Sequence, residues 1–373
     1  MSLRDFFRPS PAKGLTSPAA SLPPWSRRSF LAGLGTGALP LSAPPRAHAH
    51  ATHADATAVA VTPYEYGARY SDASIDESTA LQAAINAALK TGLPLDLAGG
   101  KWRIETTLEA LGDLHLRNGE IHTSIAAGSG LEIKPLVADG YTSPTIENVK
   151  FYKVQHPSVT GLLIQRGHSV FMSNVDFENF RNGESTAIAL DEVQVLTWRG
   201  GFVFENDRHL DLYGNKCTDI KISNVWFQDS KSQMYAGVTM QDAAGVSFTG
   251  CSFDIARYQP LVSMLTSKNI TFHDCRFEKP SYPSSNTSPA VSYPAVDIGD
   301  QSERVNFLTC YFSNTQPDSS GANQAEVVRI GGTAGGHIAL HMCSFPASSP
   351  PITTGAAAAL LYRSLMNTGL ADN

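Results

Sequence analysis

Between Glu205 and Tyr213 the chain reads Glu-Asn-Asp-Arg-His-Leu-Asp-Leu-Tyr, a stretch dense in side chains that can hold or move a proton. Leu210 and Leu212 alternate with period two, as in a strand with one buried face. If they point inward, His209, Asp211 and Tyr213 point outward in a row. His209 or Tyr213 then suits a base or acid, and Arg208 a group that neutralises a neighbouring carboxylate, the set an elimination reaction needs. Hydrolysis of a glycosidic bond needs instead two carboxylates, either about 5 Å or roughly 6.5–9.5 Å apart. Asp211 with Asp191, Glu205 or Asp207 could supply that pair. Mutual hydrogen bonding on a solvated strand is the plainer alternative.

What must position this row is a phrase that returns along the chain: a small apolar residue, a variable one, a phenylalanine. It occurs as Val149-Lys150-Phe151, Val175-Asp176-Phe177, Phe202-Val203-Phe204, Val225-Trp226-Phe227, Cys251-Ser252-Phe253, Cys275-Arg276-Phe277, Cys310-Tyr311-Phe312 and Cys343-Ser344-Phe345. Subtracting residue numbers gives phenylalanine steps of 26, 27, 23, 26, 24, 35 and 33. Such a period marks stacked repeats that bury their core faces only against one another. Period-two apolar pairs precede the phrase (Ile220 and Ile222, Val246 and Phe248) and follow it (Ile188 and Leu190, Val238 and Met240). Three short strands per turn describe an all-β, single-stranded parallel β-helix, with turns stacked roughly 4.8 Å apart. A sandwich would show hairpin turns and no phase-locked phrase.

With the final phenylalanine inward, its neighbours form an outward stripe: Lys150/Tyr152, Asp176/Glu178, Val203/Glu205, Trp226/Gln228, Ser252/Asp254, Arg276/Glu278 and Tyr311/Ser313. Acids mixed with exposed aromatics suit a sugar chain, or simply a solvated face. The corner after each phenylalanine varies in length, and insertions in repeat proteins gather on the binding face. From Phe204 to Leu210 the step is 6, against 11 from Phe177 to Ile188 and 11 from Phe227 to Val238. The short corner predicts a notch between longer walls, with small neighbours Ala187, Ala189 and Gly237 leaving room above the His209 row. Asp191, Glu205, Trp226, Gln241, Asp254 and Tyr258 are the expected substrate-binding residues around it. The Trp198-Arg199-Gly200-Gly201 approach departs from the register of other turns, as strands near sites often do.

Residues 1–49 carry Arg27-Arg28, a Gly/Ala/Leu-rich run from Leu31 to Leu41 and Ala47-His48-Ala49. This resembles a twin-arginine export signal with a small-x-small cleavage site, which implies the twin-arginine translocase as a partner and export in the folded state to the periplasm or beyond. Residues 50–62 read as a linker. Then comes Tyr64-Glu65-Tyr66-Gly67-Ala68, followed by a helix in which Leu81, Ala84, Ile85, Ala88 and Leu89 share one face, with Asp76 as N-cap and Gly92 as stop. Leu93–Leu97 and Gly100-Lys101-Trp102-Arg103-Ile104 read as strands. This segment resembles the N-terminal signature of the pectate-lyase superfamily, whose helix caps the open end of a right-handed β-helix. The resemblance covers about 40 residues and implies polysaccharide chemistry by a lyase, hydrolase, epimerase or tailspike depolymerase. The family's catalytic motifs do not carry over: there is no Asp-Asp pair, Gly167-His168-Ser169 only partly echoes Gly-His-Gly, and Trp-x-Asp-His is missing. A β-helix that only binds or guides an exopolysaccharide is therefore the alternative to an enzyme.

Composition sets the outer limits. One elongated domain over 63–350, with a C-terminal tail from 351, accounts for a chain of 373 residues. A net charge of −6 with no basic run excludes an electrostatic footprint for nucleic acid. After the leader, no segment is long and apolar enough to anchor in a membrane. Four of the five cysteines fill the slot that Val149, Val175 and Val225 fill earlier, and side chains stacked in register point the same way rather than at each other, so they read as small buried thiols. Pro280–Pro294 and Asn314–Asn323 read as projecting loops, and Ala356–Leu365 as a short helix over the last turn. No cofactor is called for, with calcium the candidate if a uronate has to be neutralised. The expectation is an exported enzyme on a uronate-containing polysaccharide, a lyase ahead of a hydrolase.

Overall fold

The structure is a computed structural model and describes residues 60–69, 72–154, 158–214, 217–278, 293–313, 327–331 and 337–345, with strands at Ile352–Thr354 and Tyr362–Leu365. The expected leader, the linker as far as 59, the Asn314–Asn323 loop, most of Pro280–Pro294 and residues 356–361 lie outside the described residues. Tyr362–Leu365, expected within a closing helix, is instead a strand paired with Ile338–His341.

Strand pairing among the described residues is parallel, each turn lying on the one before. Three faces result. The first carries Met172, Trp198, Ile222, Phe248, Phe272 and Phe307 in register. The second carries the phrase, with Phe151 opposite Phe177, Phe227 opposite Phe253, and Phe277 opposite Phe312. The third is a separate ten-stranded sheet from Leu108–Leu111 to Ile352–Thr354. Where the first face bends into the second, the residue before each small inward slot is left-handed. Asn148, Asn174, Gly200, Asn224 and Gly250 hold φ of 54°, 51°, 66°, 55° and 62°, which asparagine and glycine adopt at least cost.

Aromatic stacking fills the core. Ring centroids lie 5.2 Å apart for Phe227–Phe253, 4.9 Å for Phe253–Phe277 and 4.8 Å for Phe277–Phe312, all near parallel. Offset stacking of this kind adds about 0.5–1.5 kcal/mol per pair beyond area burial. The cysteine column is buried and unbridged, and the thiols of Cys275, Cys310 and Cys343 donate to carbonyls of Phe248, Phe272 and Phe307 at 3.4–3.5 Å.

One turn corrects the expected frame. Val203, not Phe204, lies opposite Phe177 and Phe227, and it is fully buried, while Phe202 and Phe204 face outward. Gly201 takes the small slot at φ 129°, where a Cβ would lie 2.2 Å from the Val175 carbonyl oxygen. Trp198 explains the exchange of Phe for Val. Its indole reaches across to contact Phe177 and Phe227 edge-on at 6.0 and 5.9 Å, and its Nε1 donates to Gly200 O at 3.0 Å. A phenylalanine at 203 would compete for that volume.

The helix Ser78–Thr91 buries Leu81, Ala84, Ile85 and Ala88 as expected, and ends at Gly92 in the left-handed conformation. Its N-cap position is Glu77, yet Asp76 still accepts the Ser78 N–H at 3.0 Å. The Gln82 side-chain amide bonds both backbone groups of Glu109, donating at 2.8 Å and accepting at 2.8 Å, so it stands in for a missing strand at the sheet edge.

Candidate functional site

The third-face row forms only in part. On Arg208–Tyr213, Asp211 sits between Ala189 and Thr239, and Tyr213 lies opposite Asp191. Asp211 is bonded on one side by Arg208 and on the other by the Thr239 hydroxyl. The Arg208 guanidinium also lies 3.7 Å from the Tyr235 ring centroid, so it is doubly engaged. Burial, with the Asp191 and Asp211 charges acting the same way, pushes the Tyr213 phenol up to about 12. Asp191, raised chiefly by burial, accepts a bond from Gln165 Nε2 at 3.2 Å.

His209 is a correction: it faces the core and is 3 % exposed. Both His209 N–H and Leu210 N–H donate to Gly237 O, at 2.7 and 3.2 Å, a local distortion of the strand that leaves two consecutive residues inward. Gly237 leaves room for the imidazole rather than for a ligand, since a Cβ there would lie 3.1 Å from His209 Cδ2. Nδ1 accepts from the buried Asn206 amide at 3.2 Å. Burial drives the imidazole down to about 3, with the Asp229 charge opposing, so the ring stays neutral and serves no ligand as a base.

A pH experiment checks this placement. The folded pKa lies below the usual 6.5, so the unfolded chain binds a proton first as pH falls, and stability is lost between about pH 6.5 and 3. The urea midpoint of the wild type should fall more steeply over that window than that of His209→Gln. Parallel slopes would mean that the ring reaches water.

The notch exists, but over the corner itself. A cleft of about 560 Å³ is lined by Arg181, Glu184, Asp207, Lys231, Arg257 and Tyr258, with Asn182, Gly183 and Gln233. The short corner forms its floor and the corners before and after it form the walls, as the step lengths imply. Glu205 bridges the walls, 3.1 Å from Arg181 and 3.4 Å from Lys231. Asp229 takes Arg257 through two bonds at 2.8 and 3.2 Å and lies 3.4 Å from Lys231. The Arg181 wall is held from beneath by buried Lys153, whose Nζ donates to Arg181 O at 2.5 Å and to Ser185 Oγ at 2.8 Å. Burial pulls that ammonium down to about 8, with Asp207 opposing. Asp207, 5 % exposed, accepts the Ser185 N–H at 3.0 Å. Burial raises its pKa, and the Glu184 charge adds to the rise. Glu184 is bonded by the Ser232 hydroxyl and by Gln233 N–H at 3.2 Å.

The cleft adjoins an aromatic platform on the second face. Phe202 stacks on Phe204 at 5.4 Å and meets Trp226 edge-on at 5.4 Å. Trp226 is 37 % exposed, and Phe202 N–H is held by Asp176 Oδ1 at 2.7 Å. Of the expected binding residues, Tyr258 lines the cleft, Glu205 bridges it, Trp226 joins the platform, Gln241 is exposed on the third face and Asp254, expected outward, is 5 % exposed. Phe202, Phe204, Arg181, Glu184, Lys231 and Arg257 were not anticipated. For the two phenylalanines a signal existed: Gly200 aligns with Asn148, Asn174 and Asn224, and counting from it puts Val203 inside. Among the described residues, no group of three or more His, Cys, Asp or Glu is placed to hold a metal.

No protein-family model matches the chain, and no curated protein sequence does. Solved structures do. An Acinetobacter phage tailspike aligns over 84 % of this chain and 59 % of its own, with TM-score 0.52 at 15 % identity. A second Acinetobacter phage tailspike aligns over 83 % and 61 %, with TM-score 0.51 at 13 % identity. A Streptococcus pneumoniae surface protein and adhesin aligns over 83 % and 97 %, with TM-score 0.50 at 12 % identity. The chain is a right-handed parallel β-helix. It spans about three fifths of the two tailspikes.

Proposed function

We propose that this protein binds and hydrolyses polysaccharide, holding the chain across the second face with the cleft as the cleavage site. The carrying observation is the outward trio Phe202, Phe204 and Trp226, three aromatic rings gathered on two adjacent turns, whereas the neighbouring turns present Asp176, Glu178, Ser252 and Asp254 at the same positions. Rings of this kind lie beneath sugar faces, and the tailspike likeness supports the same reading. In the cleft, Asp207 is the acid: a carboxyl whose pKa is raised by burial, and further by the nearby Glu184 charge, suits protonation of a leaving oxygen, and Glu184 suits activation of water. Hydrolysis fits these residues better than elimination, because His209 is buried and Arg208 is tied to Asp211. A binding role without cleavage is favoured by one observation, that Glu205 and Asp229 are both committed to ion pairs. The twin-arginine leader delivers the folded protein outside the cytoplasm, and no helix of the described residues is long and apolar enough to cross a membrane.

Isothermal titration against soluble exopolysaccharides, with and without calcium, tests the binding face. Trp226→Ala and Phe202→Ala should each weaken affinity about tenfold or more. The Trp226→Ala melting temperature should hold, because that ring is partly solvated. Unchanged affinity in both variants would remove the platform from the site. New reducing ends without an ultraviolet-absorbing unsaturated product would mark hydrolysis.

A further inference from the structure

Charge pairing across the same surface narrows what it accepts, an inference that rests on the polysaccharide reading. Each cation lining the cleft already faces a carboxylate: Arg181 lies 3.1 Å from Glu205, Lys231 lies 3.4 Å from both Glu205 and Asp229, and Arg257 lies 2.8 Å from Asp229. Along the second face Lys150 lies 2.6 Å from Glu178, and Arg276 is paired with Glu278. Asp207 and Glu184 face into the same cleft and are bonded by neutral hydroxyl and amide groups rather than by its cations. Three cations therefore stand against Glu205, Asp229 and Glu184, with Asp207 beside them, and no positive charge is left over for an anionic sugar. The nearby buried ammonium, Lys153, is turned toward backbone carbonyls and Ser185.

A uronate carboxylate entering this cleft would have to displace an existing carboxylate from its partner and sit beside Glu184. Both steps are unfavourable, since like charges at close range cost energy and a broken pair strands its other member. Uncharged hydroxyls meet no such barrier: they can donate to the paired carboxylates and accept from the spare N–H groups of Arg181 and Arg257. We infer that the cleft and the platform select a polysaccharide whose bound sugars are uncharged, and reject uronates by charge.

The test uses pairs of polymers with identical linkages: uronate-containing polysaccharides and the same samples after chemical reduction of their carboxyl groups to primary alcohols. Titrations of the full protein at 50 and 300 mM salt should show the reduced member of a pair bound at least tenfold more tightly, with affinity changing less than about twofold between salts. The parent should bind better at high salt, where repulsion is screened. Glu184→Lys should recover affinity for the parent. Tighter binding of the parent, weakening as salt rises, would overturn the inference while leaving the polysaccharide reading in place. A blank for both members of every pair, the same in wild type and Trp226→Ala, would overturn both.

Discussion

Asp207→Asn should lower the rate of reducing-end release by about 10²–10⁴-fold, the range for losing a general acid. The amide keeps the Ser185 N–H bond through its oxygen, so the corner stays in place, but it has no proton to give. The assay belongs near pH 6, well below the value near 8 at which Lys153 is half deprotonated, so that the wall beneath Arg181 is held alike in both proteins. For the wild type, the rate should fall on the alkaline side, as Asp207 loses the proton that burial helps it keep. Binding should survive, because the platform is untouched. A variant that melts like the wild type and cleaves at full rate would remove Asp207 from the chemistry. One that still binds, from a parent that never cleaves, would leave the non-catalytic reading.

Trp198→Ala should cost about 3–5 kcal/mol, the range for emptying a large aromatic site. Val203 is too small to fill the phenylalanine slot between Phe177 and Phe227, and Trp198 closes the gap by edge contacts with both rings. Its removal breaks the aromatic stack at the turn that also holds the platform. Affinity for polysaccharide should fall along with stability, since Phe202 and Phe204 depend on the same strand. The double change Trp198→Ala, Val203→Phe restores a phenylalanine to the column and should recover part of the loss. Equal melting of wild type and Trp198→Ala would mean that the stack does not run through this residue.

The phenylalanine ladder was legible because burial forces one residue type into one slot, turn after turn, and period two survives in the sequence. The helix was legible for the same reason at a different period. His209 and Phe204 were misread because alternation holds only while the strand is regular. The shared Gly237 carbonyl distorts the strand and turns His209 inward, and Gly200-Gly201 shifts the phrase by one residue. Corner length pointed to the cleft, yet its residues carry no periodicity: Arg181, Glu184, Lys231 and Arg257 lie on corners whose conformation is set by contacts between turns. Glu184, at φ 64°, is one example, since nothing in its neighbours along the chain requires a left-handed residue there.

Stacked thiols bear on when this chain can fold. Cys251, Cys275, Cys310 and Cys343 sit one above another in a dry core, where parallel strands aim them alike and none is bridged. In an unfolded chain nothing enforces that separation, and any two of the five are free to oxidise to a mismatched crosslink. Such a crosslink has no place in the solenoid, so the error would be locked in rather than annealed. Folding therefore has to outrun oxidation, which a reducing cytoplasm ensures and an oxidising compartment does not. For a chain exported as proposed, a route that carries the finished solenoid across the membrane would spare this core that error, where a thread that must fold on the far side would not.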